Sequence, residues 1–242
     1  MSLLVWKNSK LYLGGYDLSG DMNQMSLKYE SDALDTTVFG QSTKRRLAGL
    51  LDIAADHKGL WQAGTNLIED TLWSKFAVAN EVMTVFPETG AAGEVGFSFK
   101  SLESAYSPGA KAGEVLAFDV SAKGVGTLIR ATCLENGVKS ATASGTARNL
   151  GAVSATQKLY AVMHVLAKSG TTPTLDMKIQ SDDAQAFTTP LDRITFAQAT
   201  DIGAQWATPV NGAITDAWWR ASWTIGGTGS PSFTVVIAIA IQ

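Results

Sequence analysis

Cysteine is almost missing from this sequence. Cys133 is the only one in 242 residues, so no internal disulfide and no CxxC redox or metal motif is available. Its neighbours Ile129, Arg130, Ala131, Thr132 and Leu134 suit a strand, and the thiol is expected to be a plain core or interface group. Histidine is nearly as scarce. His57 follows Asp56 at the end of an alternating stretch, and His164 sits inside an apolar one, where a satisfied core histidine is expected. Neither has further ligands at metal spacing or anchors a triad. Charge is also thin, at 17% of residues with a net charge of −3. Attraction to nucleic acid or an anionic membrane needs clustered Lys and Arg, so a strongly basic binder is disfavoured. Long hydrophobic runs are missing too. "MSLLVWKNSK" has no basic segment ahead of its short apolar run, so it does not read as a secretory leader, and no stretch reaches the roughly 18 residues of a spanning helix. The nearest, "FTVVIAIAIQ", is rich in β-branched residues and suits a buried final strand. A protein made and folded in the cytosol, with no membrane insertion, is the expectation.

What is present is enough apolar material, 45% of the chain, to build a sizeable core. The charges are unevenly spread: 14 of the 19 Lys and Arg and 16 of the 22 Asp and Glu precede Gly151. Between the two regions, Glu135 to Gln157 is small and polar, as a linker or a strand crossing between domains would be. Two domains are expected, 1–145 and 146–242.

Period-two alternation dominates both. Met25, Leu27 and Tyr29 alternate with polar residues, as do Leu51, Ile53 and Ala55 on the way to Trp61. Further strands are expected over Val82 to Phe86, Glu94 to Ser101, Val115 to Ser121 and Thr127 to Leu134, with Gly or Pro turns between them. One helix is expected in "TNLIEDTLWSKFAVAN": Thr65 or Asn66 can cap it, Glu69 and Asp70 fill its first turn, and Ile68, Leu72 and Phe76 share a face. Beyond residue 150, "LYAVMHVLA" is apolar on both faces like a central strand. "TLDMKIQS" and "WRASWTI" alternate, and "GGTGSPSF" reads as a turn into the last strand. The fold class is therefore mainly β, an N-terminal β-sandwich or barrel carrying one α-helix, followed by a C-terminal β-sandwich.

Chemistry finds little to stand on. Asp32 with Asp35, and Asp182 with Asp183, are close acidic pairs, but both sit in polar turns where Asp supports the backbone. No Walker loop, dinucleotide motif or zinc signature occurs. The expectation is no enzyme, no cofactor and no metal. Lys44, Arg45 and Arg46 form a local basic patch only. Trp73 is assigned to packing on the helix, and Trp219 and Trp223 to one buried strand face; Trp218 breaks that register.

The remaining feature is the stretch between the two early strands, Ser31 to Gly49, which reads as a long polar connection holding Asp32, Asp35, Lys44, Arg45 and Arg46, with Val38 and Phe39 as an apolar anchor. Together with its flanking strands, the "DALDTTVFG" turn, Gly49-Leu50, and the strand ending in Trp61 before a helix, this order resembles the tail tube proteins of long non-contractile tailed bacteriophages. The likeness covers Leu11 to Leu134. The later part, with "TTPTLDMKIQSDD" and "ITDAWWRASWTIGGTGSPSFTVVIA", is similar to an appended outer sandwich of some tail proteins. The resemblance implies a virion subunit, made in host cytoplasm, that forms stacked sixfold rings around the channel for double-stranded DNA. Its partners would be copies of itself and other tail proteins: tape measure, tail terminator, and baseplate or tip. Asp32, Asp35, Val38, Phe39, Lys44, Arg45 and Arg46 would then make the contacts between subunits. The alternative is a glycan or host-surface binding module of two sandwiches, with Trp218, Asp182 and Asp183 as its surface residues.

Overall fold

The computed structural model describes residues 7–64 and 67–242. Among these residues the chain is mainly β with one short helix. In order the elements are β1 (Lys10–Leu13), β2 (Tyr16–Asp17), β3 (Met22–Asp35), β4 (Arg46–Leu60), α1 (Ile68–Lys75), β5 (Ala79–Phe86), β6 (Val95–Gly109), β7 (Ala117–Lys139), β8 (Ala143–Ser144) and β9 (Arg148–Asn149). There follow β10 (Lys158–Asp182), β11 (Leu191–Thr195), β12 (Gly203–Trp206), β13 (Val210–Asn211) and β14 (Trp218–Ile241). These segments make two compact units. One holds the described residues up to Gly20, Glu81–Phe99 and Ile129–Gln242; the other holds Asp21–Asn80 and Lys100–Leu128.

The first unit is organised around β10 and β14, which pair antiparallel from Leu159↔Ile241 to Asp182↔Trp218. Leu159, Ala161, Met163 and Val165 face one apolar cluster with Met177, Ile179, Trp219, Trp223, Phe233 and Ile237. Val162 turns the other way, into a second cluster with Tyr12, Phe86, Ile129, Cys133 and Val236. Apolar residues on both faces of "LYAVMHVLA" are thus explained by a strand sandwiched between two cores. "GGTGSPSF" does not end a strand. The ladder continues through it, with register shifts at Val165/Ala167, Ser169/Thr171 and Thr171/Thr174, because bulges as well as turns take Gly and Pro. Glu135 to Lys139 extend β7 along β14, and β8 and β9 pair with the opposite end of β14. The polar stretch after Glu135 is therefore in part strand.

The His and the Cys that the sequence places in this part of the chain are both buried among these strands. His164 Nδ1–H donates to the Gly14 carbonyl at 2.8 Å. Its Nε2 then accepts from the Thr84 hydroxyl at 2.8 Å, and Thr84 Oγ1 meets Ser98 Oγ at 2.8 Å. Cys133 is buried, and burial pushes its thiol up to about 12, which suits an inert core group.

The second unit rests on the β3–β4 hairpin, extended by residues 117–123 of β7, which pair with 54–60. Met25, Ile53, Ala55, His57, Phe118, Val120 and Ala122 are buried, so alternation reports burial correctly over the base of the hairpin. At Gly59 a side chain is excluded: an added Cβ would stand 2.0 Å from the Asp21 carbonyl oxygen and 2.8 Å from the Phe118 ring. The same carbonyl accepts from Leu60 N–H at 2.9 Å. Gly59→Ala should lower stability by about 1–3 kcal/mol through overpacking. Urea unfolding checks this, and an unchanged midpoint would contradict the close approach.

The helix is shorter than its sequence pattern. It spans Ile68–Lys75, with Ile68, Thr71 and Leu72 buried. The expected caps Thr65 and Asn66 lie outside the described residues. Phe76 is extended at the C-cap, and Ala77 and Asn80 have φ of 59° and 67°. Helical dihedrals therefore stop one residue before the position that would have completed the Ile68–Leu72–Phe76 face, and Phe76 is exposed.

Candidate functional site

Beyond Lys28 the hairpin changes character. Pairing continues through Tyr29↔Ile53, Glu30↔Asp52 and Ser31↔Leu51 to Ala33↔Ala48, Leu34↔Leu47 and Asp35↔Arg46, with a bulge between Ser31 and Ala33. Every residue from Lys28 to Ala48 is nonetheless exposed. The Ser31 to Gly49 stretch is therefore not a long connection but mostly two paired strands, joined by a loop over 36–45. The eight residues 28–35 make an arm of roughly 26 Å at strand rise. A two-stranded ribbon with both faces in water is marginal alone.

The tip is built from local chemistry. The Asp35 carboxylate accepts from Thr37 N–H at 2.9 Å, Arg45 N–H donates to Thr37 Oγ1 at 2.9 Å, and Thr36 N–H donates to the Arg45 carbonyl at 2.9 Å. Hydrogen bonds from Thr37 hold the Asp35 carboxyl below its usual range. Between these clamps Gln41 N–H donates to the Val38 carbonyl at 3.3 Å, closing a turn whose third residue, Gly40, has φ of 86°. Such a turn needs a residue that tolerates positive φ, and it lifts its second residue outward. That residue is Phe39, at 107% relative exposure.

Along the arm Leu34, Val38, Leu47, Leu50 and Leu51 are also exposed, with Leu34 directly across the ladder from Leu47. Large apolar side chains left exposed along one element are what an interaction site presents. Lys44, Arg45 and Arg46 flank the tip and are exposed, and among the described residues none of the three forms an ion pair. Asp32 is exposed on the opposite strand, where a Cβ on Gly49 would lie 2.8 Å from Asp32 Cβ. The seven residues assigned to subunit contact thus share one projecting element, but Asp35 also serves its own turn.

The second group is placed differently. Asp182 is buried at the end of β10 and accepts from Ala184 N–H and Thr189 N–H, both at 2.9 Å. The Ala184 contact above all lowers its pKa, so this carboxylate organises the 183–189 loop. Asp183 is exposed. Trp218 is half-buried, directly across the ladder from Asp182 and flanked by Asn149. Nearby, and unmarked in the sequence, the Asp216 carboxylate accepts from Ser181 Oγ at 2.6 Å and Arg193 Nη2 at 2.9 Å. Trp219 and Trp223 are buried with their indole N–H groups on the Gly151 and Ala141 carbonyls, at 2.8 and 2.9 Å. Among the described residues no group of three or more His, Cys, Asp and Glu is arranged to hold a metal ion.

Trp73 corrects an expectation. It is 65% exposed rather than packed, stacked on Phe76 with ring centroids 6.4 Å apart and edge-on to Tyr106 at 6.4 Å. The Tyr106 hydroxyl in turn accepts from the Trp61 indole N–H at 2.9 Å. Leu67 and Val78 extend this exposed apolar surface. Helical geometry could have found it, since position 73 lies one residue off the stripe set by Ile68 and Leu72.

No protein-family model matches the chain, and no curated protein matches it. Solved structures similar to it include a chain from the virion of a native gene transfer agent particle, 8% identical, with a TM-score of 0.44 over 53% of this chain and 98% of that one. A chain from the tail of an empty gene transfer agent particle, refined with C6 symmetry, is 9% identical, with a TM-score of 0.37 over 45% of this chain and 80% of that one. The SPP1 Dit protein, described as a hub of the adsorption apparatus in phages that infect Gram-positive bacteria, is 9% identical, with a TM-score of 0.37 over 98% and 100%.

Proposed function

We propose that this chain is a structural subunit of a bacteriophage tail tube, and that the arm of residues 28–52 joins one copy to the next. The observation that carries this reading is the arm itself, a paired ribbon with both faces exposed and an apolar, basic tip. Apolar side chains in water cost free energy unless a partner covers them. The chain meets this need by repetition, because copies in a ring or stack present the same arm and the same receiving surface at every step. Stacked sixfold rings and the passage of double-stranded DNA follow from the resemblance of residues 11–134 to tail tube proteins. The work of such a subunit is assembly and passage, with no bond made or broken.

Purified protein concentrated to high micromolar levels is expected to form rings or hollow tubes by negative-stain electron microscopy. A monodisperse monomer at every concentration would overturn the reading.

A further inference from the structure

Two exposed surfaces in the second unit are complementary in kind. The arm tip offers Val38 and Phe39 beside three cations, Lys44, Arg45 and Arg46. The helix offers Trp73, four residues on from Glu69, with Asp70 beside Glu69 in the same first turn, and Phe76 at the C-cap stacks on the Trp73 ring. Glu69 and Trp73 lie about 100° around the helix from buried Ile68 and Leu72, so acid and aromatic ring share the flank beside the packed face. Among the described residues both rings stand open, Phe39 at 107% exposure and Trp73 at 65%. Aromatic side chains exposed beside charge of the opposite sign are the composition of an interface centre and its rim.

We infer that the surface formed by Glu69, Trp73 and Phe76, with Tyr106 at its edge, receives the arm tip of a second copy, Phe39 seating on the Trp73 and Phe76 rings while Lys44 to Arg46 face Glu69 and Asp70. The occupant is this chain itself because the two surfaces match in both polarity and charge. Lys75, in the last helical turn, leaves the first turn as the acidic end to which the basic triplet is drawn. The inference rests on the assembly reading above and adds the receiving site, which that reading leaves open.

Hydrogen exchange on the unmodified protein tests it. On assembly, amides of both 36–45 and 67–78 are expected to slow by about tenfold or more relative to the dispersed chain, as contact suppresses local opening. A second measurement uses two singly substituted proteins, Phe39→Cys and Trp73→Cys, mixed under mild copper-phenanthroline oxidation. Cys133 is buried and does not compete. The mixture should form a disulfide-linked pair at least about tenfold faster than Phe39→Cys mixed with Val115→Cys, a control at another exposed position of the same unit. Assemblies in which 67–78 exchanges as fast as in the dispersed chain, or in which the control links equally fast, would overturn the docking site while leaving self-assembly intact. Failure of the unmodified protein to assemble at all would overturn both.

Discussion

A chain lacking Asp32–Ala48 is expected to fold and to stay a monomer. The register makes the cut clean: Ser31 pairs with Leu51, so the deletion leaves Gly49-Leu50 as a two-residue hairpin loop. A loop with Gly in first position is among the favoured connections of antiparallel strands. Everything removed is exposed, so no core contact is lost. Far-ultraviolet circular dichroism should keep its β signature, and the urea midpoint should move little. Assembly should fail. Leu34, Val38, Phe39 and Leu47 go with the deletion, and at about 1.5 kcal/mol each on burial they contribute on the order of 6 kcal/mol, a loss of about four decades in association. Sedimentation velocity distinguishes the outcomes, since tubes formed by the shortened chain would remove the arm from the interface. Phe39→Asp reports the same contact without altering chain length.

The two histidines are expected to respond to one substitution with opposite sign. His57 is buried beside Phe118, ring centroids 6.3 Å apart, and among the described residues neither ring nitrogen has a hydrogen-bond partner. Replacing it with Leu keeps the volume and removes an unpaired buried polar group, so stability at pH 7 should rise by about 1–2 kcal/mol. His164→Leu strips the Gly14 carbonyl of its donor and removes the acceptor of the Thr84 hydroxyl, both in the core. A loss of about 2–4 kcal/mol is expected there. Their pH behaviour, by contrast, is shared. Burial lowers both pKa values from 6.5 to about 4, with Asp56 and Asp119 opposing the shift at His57. Between those values the unfolded chain binds the protons and the folded chain does not. Stability is therefore full above pH 6.5 and falls as pH drops towards 4, by up to about 1.4 kcal/mol per unit for each ring. Urea midpoints at pH 7 and pH 5 should show His57→Leu losing less stability on acidification than the unmodified chain. Equal losses would mean that the ring is already charged when folded.

Local sequence sets His57 at the end of an alternating stretch and His164 inside an apolar one, but does not say what either ring meets. Only the tertiary structure brings Gly14 and Thr84 to one ring and leaves the other with Phe118, because those partners lie 80 and 150 residues away from His164 in the chain. The same limit explains the merged strands. Gly124 sits inside β7, which runs unbroken from Ala117 to Lys139, although glycine spacing there reads as a turn. Its Cα faces Ile53 so closely that an added Cβ would lie 2.4 Å away, so the residue is small for packing rather than for bending.

By itself the sequence determined the class of fold and the base of the hairpin. Alternation at Met25 and at Ile53 to His57 records which side meets a core, and a one-residue slip would reverse it. It also determined the kind of His164, set in an apolar run, and of Trp219 and Trp223, which alternate with polar residues on one strand face. Where the arm leaves the body, that record fails. With water on both faces, Lys28 to Ala48 carry no burial pattern, and strand pairing there is decided by the ladder hydrogen bonds and the clamp at Asp35, Thr37 and Arg45. The tertiary structure alone decided that Phe39 and Trp73 face solvent, because exposure depends on what the rest of the chain leaves uncovered.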